Sequence, residues 1–127
     1  MRVARGLVVF SAFVFAGIGL GYLIAPAAML AIVGVASEAT TDFLMRTEGV
    51  ALLCGGGLLW AVRDGTSRQL RVALIALGVY YILGSMVDVA AFRVGIVGTA
   101  SVPSAMVRTV LGVICFLTAA RLSVAGR

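Results

Sequence analysis

The chain has 127 residues, 62% of them hydrophobic, and a mean hydropathy of +1.17, where an ordinary soluble domain is roughly 45–50% apolar. A chain this short has too little interior to hide that much apolar surface from water, so lipid is its solvent and a soluble globular fold is excluded. The formal charge of +5 comes from ten basic residues, all Arg, placed between apolar runs, which argues against a nucleic-acid partner, and the absence of His removes imidazole base and metal chemistry.

Four apolar segments follow in chain order, at about 7–25, 42–62, 70–92 and 105–124, each near the ~20 residues that cross a ~30 Å hydrocarbon layer. The expected architecture is an all-α membrane protein, a four-transmembrane-helix bundle forming one integral membrane domain over 1–127. Arg2, Arg5 and the run ending in Ala-Pro-Ala-Ala at 25–28 imitate a cleavable signal peptide; the segment is read as a retained first span. From Leu7 to Ala36 the chain stays apolar, about 45 Å at a rise of ~1.5 Å per residue, too long for one straight crossing. Pro26 predicts a break near Ala25, with Ala27 to Val35 forming a short interfacial or re-entrant helix that roofs the outer mouth of the bundle.

Arg2 and Arg5 precede the first span, Arg63, Arg68 and Arg71 surround the second connection, and Arg121 and Arg127 close the chain. The first connection carries only Glu38 and Asp42, and the third a lone Arg93. This asymmetry places the N- and C-termini in the cytoplasm, in a multi-pass protein of the cell membrane. Asp64 to Ser67 forms a tight turn, and the 95–103 stretch a longer loop ending at Ser104 as N-cap. Gly17 and Gly21, Gly55 to Gly57, Gly78, Gly84 and Gly112 let backbones approach closely inside the bilayer. Cys54 and Cys115 stand in mid-span with no CxxC spacing and read as packing residues.

Charged side chains cost on the order of 2.5–3.5 kcal/mol each at the centre of a span, so those present need a reason. Arg46 and Glu48 near the outer end of the second span, Asp88 and Arg93 near that of the third, and Arg108 near that of the fourth fall in one layer. There Arg108 and Arg46 are expected to compensate Glu48 and Asp88. Tyr81, Ser85 and Asp88 share one helix face, whereas Arg46 and Glu48, two residues apart, diverge by about 200°. Arg46 is thus read either as part of the layer or as snorkelling to the headgroups.

Two functions fit. In one, the layer is a pocket for a lipophilic small molecule, with Arg46, Arg108, Tyr80, Tyr81 and Ser85 as ligand-binding residues. Glu48 and Asp88 are then the candidate acid and base. A carboxyl group in an apolar pocket can hold a proton and deliver it to an isoprenoid-like alkene or epoxide, which is cofactor-independent isomerase or cyclase chemistry. In the other, the charges lock helix register and the apolar outer faces dock into a homo-oligomer or a larger membrane complex. A transport path needs polar residues through the full depth, and the inner halves offer little beyond Thr118, the cysteines and glycines.

The runs GLGYLIAPAAMLAIVG at 19–34 and RTEGVALLCGGGLL at 46–59 resemble the small four-helix bacterial membrane proteins grouped as DoxX-like or DUF4345-type. Pro26, Arg46 and Gly49 carry the likeness, which covers the first half of the chain best. It implies four spans and lends no catalytic residue.

Overall fold

The computed structural model describes residues 1–124, so Arg127 lies outside the described residues. Among the described residues there are five helices and no strand: α1 Arg2–Ile24, α2 Pro26–Ile32, α3 Ala39–Val62, α4 Ser67–Arg93 and α5 Ser101–Val124. Three of them, α1, α4 and α5 through Leu122, are long and apolar enough to cross a membrane, which makes this a membrane protein. In the most apolar 18-residue stretch of each, only 28%, 28% and 22% is buried against the rest of the protein. Large apolar side chains such as Phe10, Phe13, Leu20, Leu58, Met86 and Leu117 consequently face outward, an arrangement that lipid solvates and water does not. α3 matches them in length, but Asp42, Arg46 and Glu48 make its first turns polar.

Local chemistry sets the helix ends. α1 closes where the Ala25 N–H donates to the Gly21 carbonyl (2.9 Å), and Pro26, which has no N–H to lose, opens α2. α3 starts three residues before the apolar run because the Glu38 N–H donates to Thr41 Oγ1 (2.8 Å). α4 starts on a reciprocal Thr66–Gln69 capping box, with the Thr66 N–H donating to Gln69 Oε1 at 2.8 Å. α5 begins at Ser101 and not after a Ser104 cap. Pro103 falls in its first turn, where helical N–H groups have no intrahelical acceptor, so the proline costs nothing there. Gly34 and Gly95, at φ +76° and +74°, turn the two connections at the α2 end, and the Gly98 N–H joins them by donating to the Val33 carbonyl (2.8 Å).

The helices pack as two close pairs, α1 with α3 and α4 with α5, and the pairs meet more lightly through α1 and α4. Within the first pair, a Cβ at Gly19 would lie 2.8 Å from the Gly49 carbonyl oxygen and a Cβ at Gly49 2.8 Å from that of Gly19, so the backbones touch there. In the second pair, Gly78 sits beneath the Phe116 ring and Gly112 beneath Ile82. Gly17, expected at an interface, meets no atom within 4 Å; the contact belongs to Gly19, two residues on and about 200° around the helix. The pairs close on Val8, Ser11, Ala12 and Phe15 of α1 and Leu70, Leu74, Leu77 and Tyr81 of α4, with Cys115 of α5 also buried. This i, i+4, i+7, i+11 spacing puts one stripe of α4 against α1.

Candidate functional site

Because the pairs meet lightly, hollows remain between them: an apolar groove of about 390 Å³ between α3 and α4, walled by Leu58, Leu59, Val72 and Leu77, and a cleft toward the α2 end. The cleft, of about 510 Å³, is bounded by all four long helices. Its charged and phenolic residues are Glu48, Asp88, Arg108, Tyr22, Tyr80 and Tyr81; Phe15, Ile18, Leu52, Val107 and Leu111 supply apolar wall. At ~1.5 Å per residue from the helix ends, Asp88 lies about 8 Å deep, Arg108 about 10 Å and Glu48 about 14 Å. Asp88 and Arg108 therefore sit below the surface of a largely apolar hollow, whereas Glu48, though it lines the hollow, is exposed.

Asp88 and Arg108 face each other across the second helix pair, with Nη1 and Oδ2 3.6 Å apart and both side chains roughly three-quarters buried. That separation is an ion contact and not a hydrogen bond, and Asp88 Oδ2 is buried with no hydrogen-bond partner. Arg108 reaches it by lying over Gly84, one turn before Asp88. Glu48 enters the cleft from α3 and, among the described residues, pairs with neither Arg46 nor Arg108. The expected cluster of two acids and two arginines is thus one pair and one free carboxyl group. Helical phase accounts for the difference: Glu48 lines the cleft while Arg46, about 200° around the helix, does not, although both are exposed.

The tyrosines divide in role. Tyr81 is 4% exposed and its hydroxyl donates to the buried Ser11 Oγ (3.0 Å), tying α4 to α1 beneath the cleft. Tyr80 is half-buried and packs on Phe15 with ring centroids 4.8 Å apart; Phe15 in turn meets Tyr81 edge-on at 6.2 Å. Three rings make a continuous aromatic wall. Ser85 does not line this cleft: its hydroxyl lies 2.7 Å from Thr109 Oγ1 and both share the Ala105 carbonyl, at 3.0 and 2.9 Å. One helical turn past Tyr81, the face has rotated toward α5. Asp88 and Ser85 also line a second groove of about 330 Å³ with Val89, Phe92, Val102 and Met106.

Residues 27–35, expected as a roof, do not line the cleft; α2 lies beside α3, with Leu30 buried and Met29 against Gly21. Four contributors were not legible as site residues. Phe15 and Tyr22 are lost in an apolar run, Ser11 looks like a neutral small residue, and Gly84 reads as generic packing. The available signals were Ser11 as a hydroxyl in mid-span and the Gly84–Asp88 spacing of four, which puts both on one face. Among the described residues, no group of three Cys, Asp or Glu side chains is placed to hold a metal ion.

No family model, curated protein or solved structure matches the chain.

Proposed function

We propose that the chain is a four-span protein of the cell membrane, with both termini cytoplasmic, that takes a lipophilic small molecule into the cleft at its outer end. α3 supplies the fourth span: its 24 residues reach about 36 Å, and its charged residues Asp42, Arg46 and Glu48 all fall within its first ten positions, at the outer end, where Glu48 lines the cleft. The resemblance to DoxX-like proteins implies the same architecture. The observation that carries the reading is the 510 Å³ cleft, which unites Glu48, Asp88 and Arg108 with an aromatic wall inside an otherwise apolar bundle. An apolar hollow with a few converging polar groups is the usual form of a small-molecule site. Glu48, the unpaired acid, is the candidate proton donor and acceptor for isomerising or cyclising an isoprenoid-like ligand. Asp88, held by Arg108, is the second carboxylate of that chemistry.

The test is native mass spectrometry of protein released in mild detergent, followed by turnover or retention measurements on Glu48→Gln. A lipophilic molecule retained by the native protein and lost from the variant is the expected result. A protein free of small molecules but bound to a stoichiometric protein partner would replace this reading with that of a structural subunit. The Asp88–Arg108 contact favours that second reading, because it fixes α4 against α5 whether or not a ligand exists.

A further inference from the structure

We propose that the ligand of the cleft carries a positive charge: a lipophilic cation, such as a tertiary or quaternary ammonium or phosphonium compound with apolar substituents. The inference rests on the cleft being a small-molecule site and replaces the neutral isoprenoid-like ligand proposed above with a charged one.

Three observations converge. Two carboxylates and a single guanidinium line the cleft, which leaves one negative charge uncompensated. Arg108 faces Asp88 at 3.6 Å, so the uncompensated carboxylate is Glu48, which among the described residues has no ion-pair partner; Glu48 and Arg46 are both exposed, and of the two only Glu48 lines the cleft. The same cleft has an aromatic wall: Phe15, Tyr80 and Tyr81 stand in a chain of ring contacts at 4.8, 5.7 and 6.2 Å, and Tyr22 lines the same hollow. Aromatic faces attract a cation within about 6 Å of the ring centroid, most strongly where water is excluded. A diffuse lipophilic cation needs both features together, a fixed counter-charge and a polarisable wall, and pays little to leave water for an apolar hollow. An anionic amphiphile would bring its head to a site already negative. Its attraction to Arg108 would have to displace Asp88, whose buried Oδ2 has no other partner. A neutral hydrocarbon would leave Glu48 unanswered.

Size agrees with the chemistry. The cleft's roughly 510 Å³ lies within the range of about 300–1,000 Å³ typical of sites for small organic molecules.

Two ions of the same shape and opposite sign, tetraphenylphosphonium and tetraphenylborate, provide the test, with farnesol as a neutral lipophile. Each is titrated against the protein in phosphatidylcholine nanodiscs, with empty nanodiscs subtracted. Tetraphenylphosphonium should bind saturably and about tenfold or more tighter than tetraphenylborate. Glu48→Gln should weaken it by about tenfold or more, and Arg108→Gln, which leaves the cleft more negative, should tighten it. A general loss of structure would weaken both variants, so the opposite signs separate charge from folding. Equal or tighter binding of tetraphenylborate, or indifference to Glu48→Gln, overturns the cation assignment. If farnesol alone binds saturably, the cleft remains a lipophile site and the cation inference fails. If none of the three binds, both readings fall.

Discussion

The Arg108 guanidinium lies directly over Gly84: a Cβ at position 84 would stand 2.8 Å from Nη1, the same nitrogen that faces Asp88 Oδ2 at 3.6 Å. The absence of one methyl group on α4 therefore lets an α5 arginine reach an α4 carboxylate. Gly84→Ala should push the guanidinium off its seat. Because the displaced group is the end of a flexible side chain, the cost should stay near the low end of the 1–3 kcal/mol usual for overpacking, about 1 kcal/mol. Thermal unfolding in detergent measures it. The same substitution in an Asp88→Asn background should cost less, since no ion contact remains to be lost. Equal costs in the two backgrounds would show that Arg108 does not depend on Gly84 to reach Asp88.

The ion pair itself is best read through a double-mutant cycle. Asp88→Asn leaves Arg108 without its counter-charge, and Arg108→Gln leaves Asp88 unpaired in an apolar hollow. The losses of the two single variants should therefore sum to more than the loss of the double variant. The expected coupling is about 1–3 kcal/mol, within the range for residues in direct contact and below that of a fully buried pair, since both side chains are about a quarter exposed. Additive losses would mean that the 3.6 Å contact contributes no energy.

These two residues also show where sequence reading succeeds and where it stops. Four long helices and a short one after Pro26 are legible because apolar length and a proline are one-dimensional properties. Helix starts at Ala39 and Ser67 lie upstream of the apolar runs because Thr41 and Gln69 set them through capping, a signal that hydropathy does not weigh. Glu48, Asp88, Arg108, Tyr80 and Tyr81 meet in one cleft, as their depth along the spans implies. Which acid takes the arginine is not legible. It depends on α4 packing against α5 and α1 against α3, a pairing that the order of segments leaves open. Ser85 was assigned by the same helical phase as Tyr81, yet one turn farther along that face meets α5 instead of the cleft.

Glycine offers a sharper contrast within one helix. Gly19 and Gly49 bring the α1 and α3 backbones into contact, and a Cβ on either would meet a carbonyl oxygen at 2.8 Å. Backbone on both sides cannot yield, so Gly19→Ala and Gly49→Ala should each destabilise the protein by about 1–3 kcal/mol. Gly17 meets nothing within 4 Å. Gly17→Ala should be neutral, or stabilising by up to about 1 kcal/mol through helix propensity. Unfolding of the three variants in one detergent ranks them directly. If Gly17→Ala proves as harmful as the others, α1 has a partner on that face, and cross-linking through position 17 would identify a second copy of the chain.

The crossing of α3 decides whether the cleft opens as proposed, because Glu48 enters it from that helix. With four spans, Ser37 before α3 and Thr66 after it lie on opposite sides of the membrane. In a background with Cys54→Ala and Cys115→Ala, a membrane-impermeant maleimide applied to intact cells should label Ser37→Cys. It should label Thr66→Cys only after permeabilisation. Arg2, Arg5, Arg63, Arg68, Arg71 and Arg121 then share the cytoplasmic side, as the distribution of positive charge requires. The reverse labelling pattern would invert the protein and open the cleft to the cytoplasm, without changing its chemistry. Labelling of both positions from outside would mean that α3 does not cross. Glu48 would then sit at the headgroup level, where an unpaired carboxylate is simply hydrated, and the case for a buried cation site would lose its counter-charge.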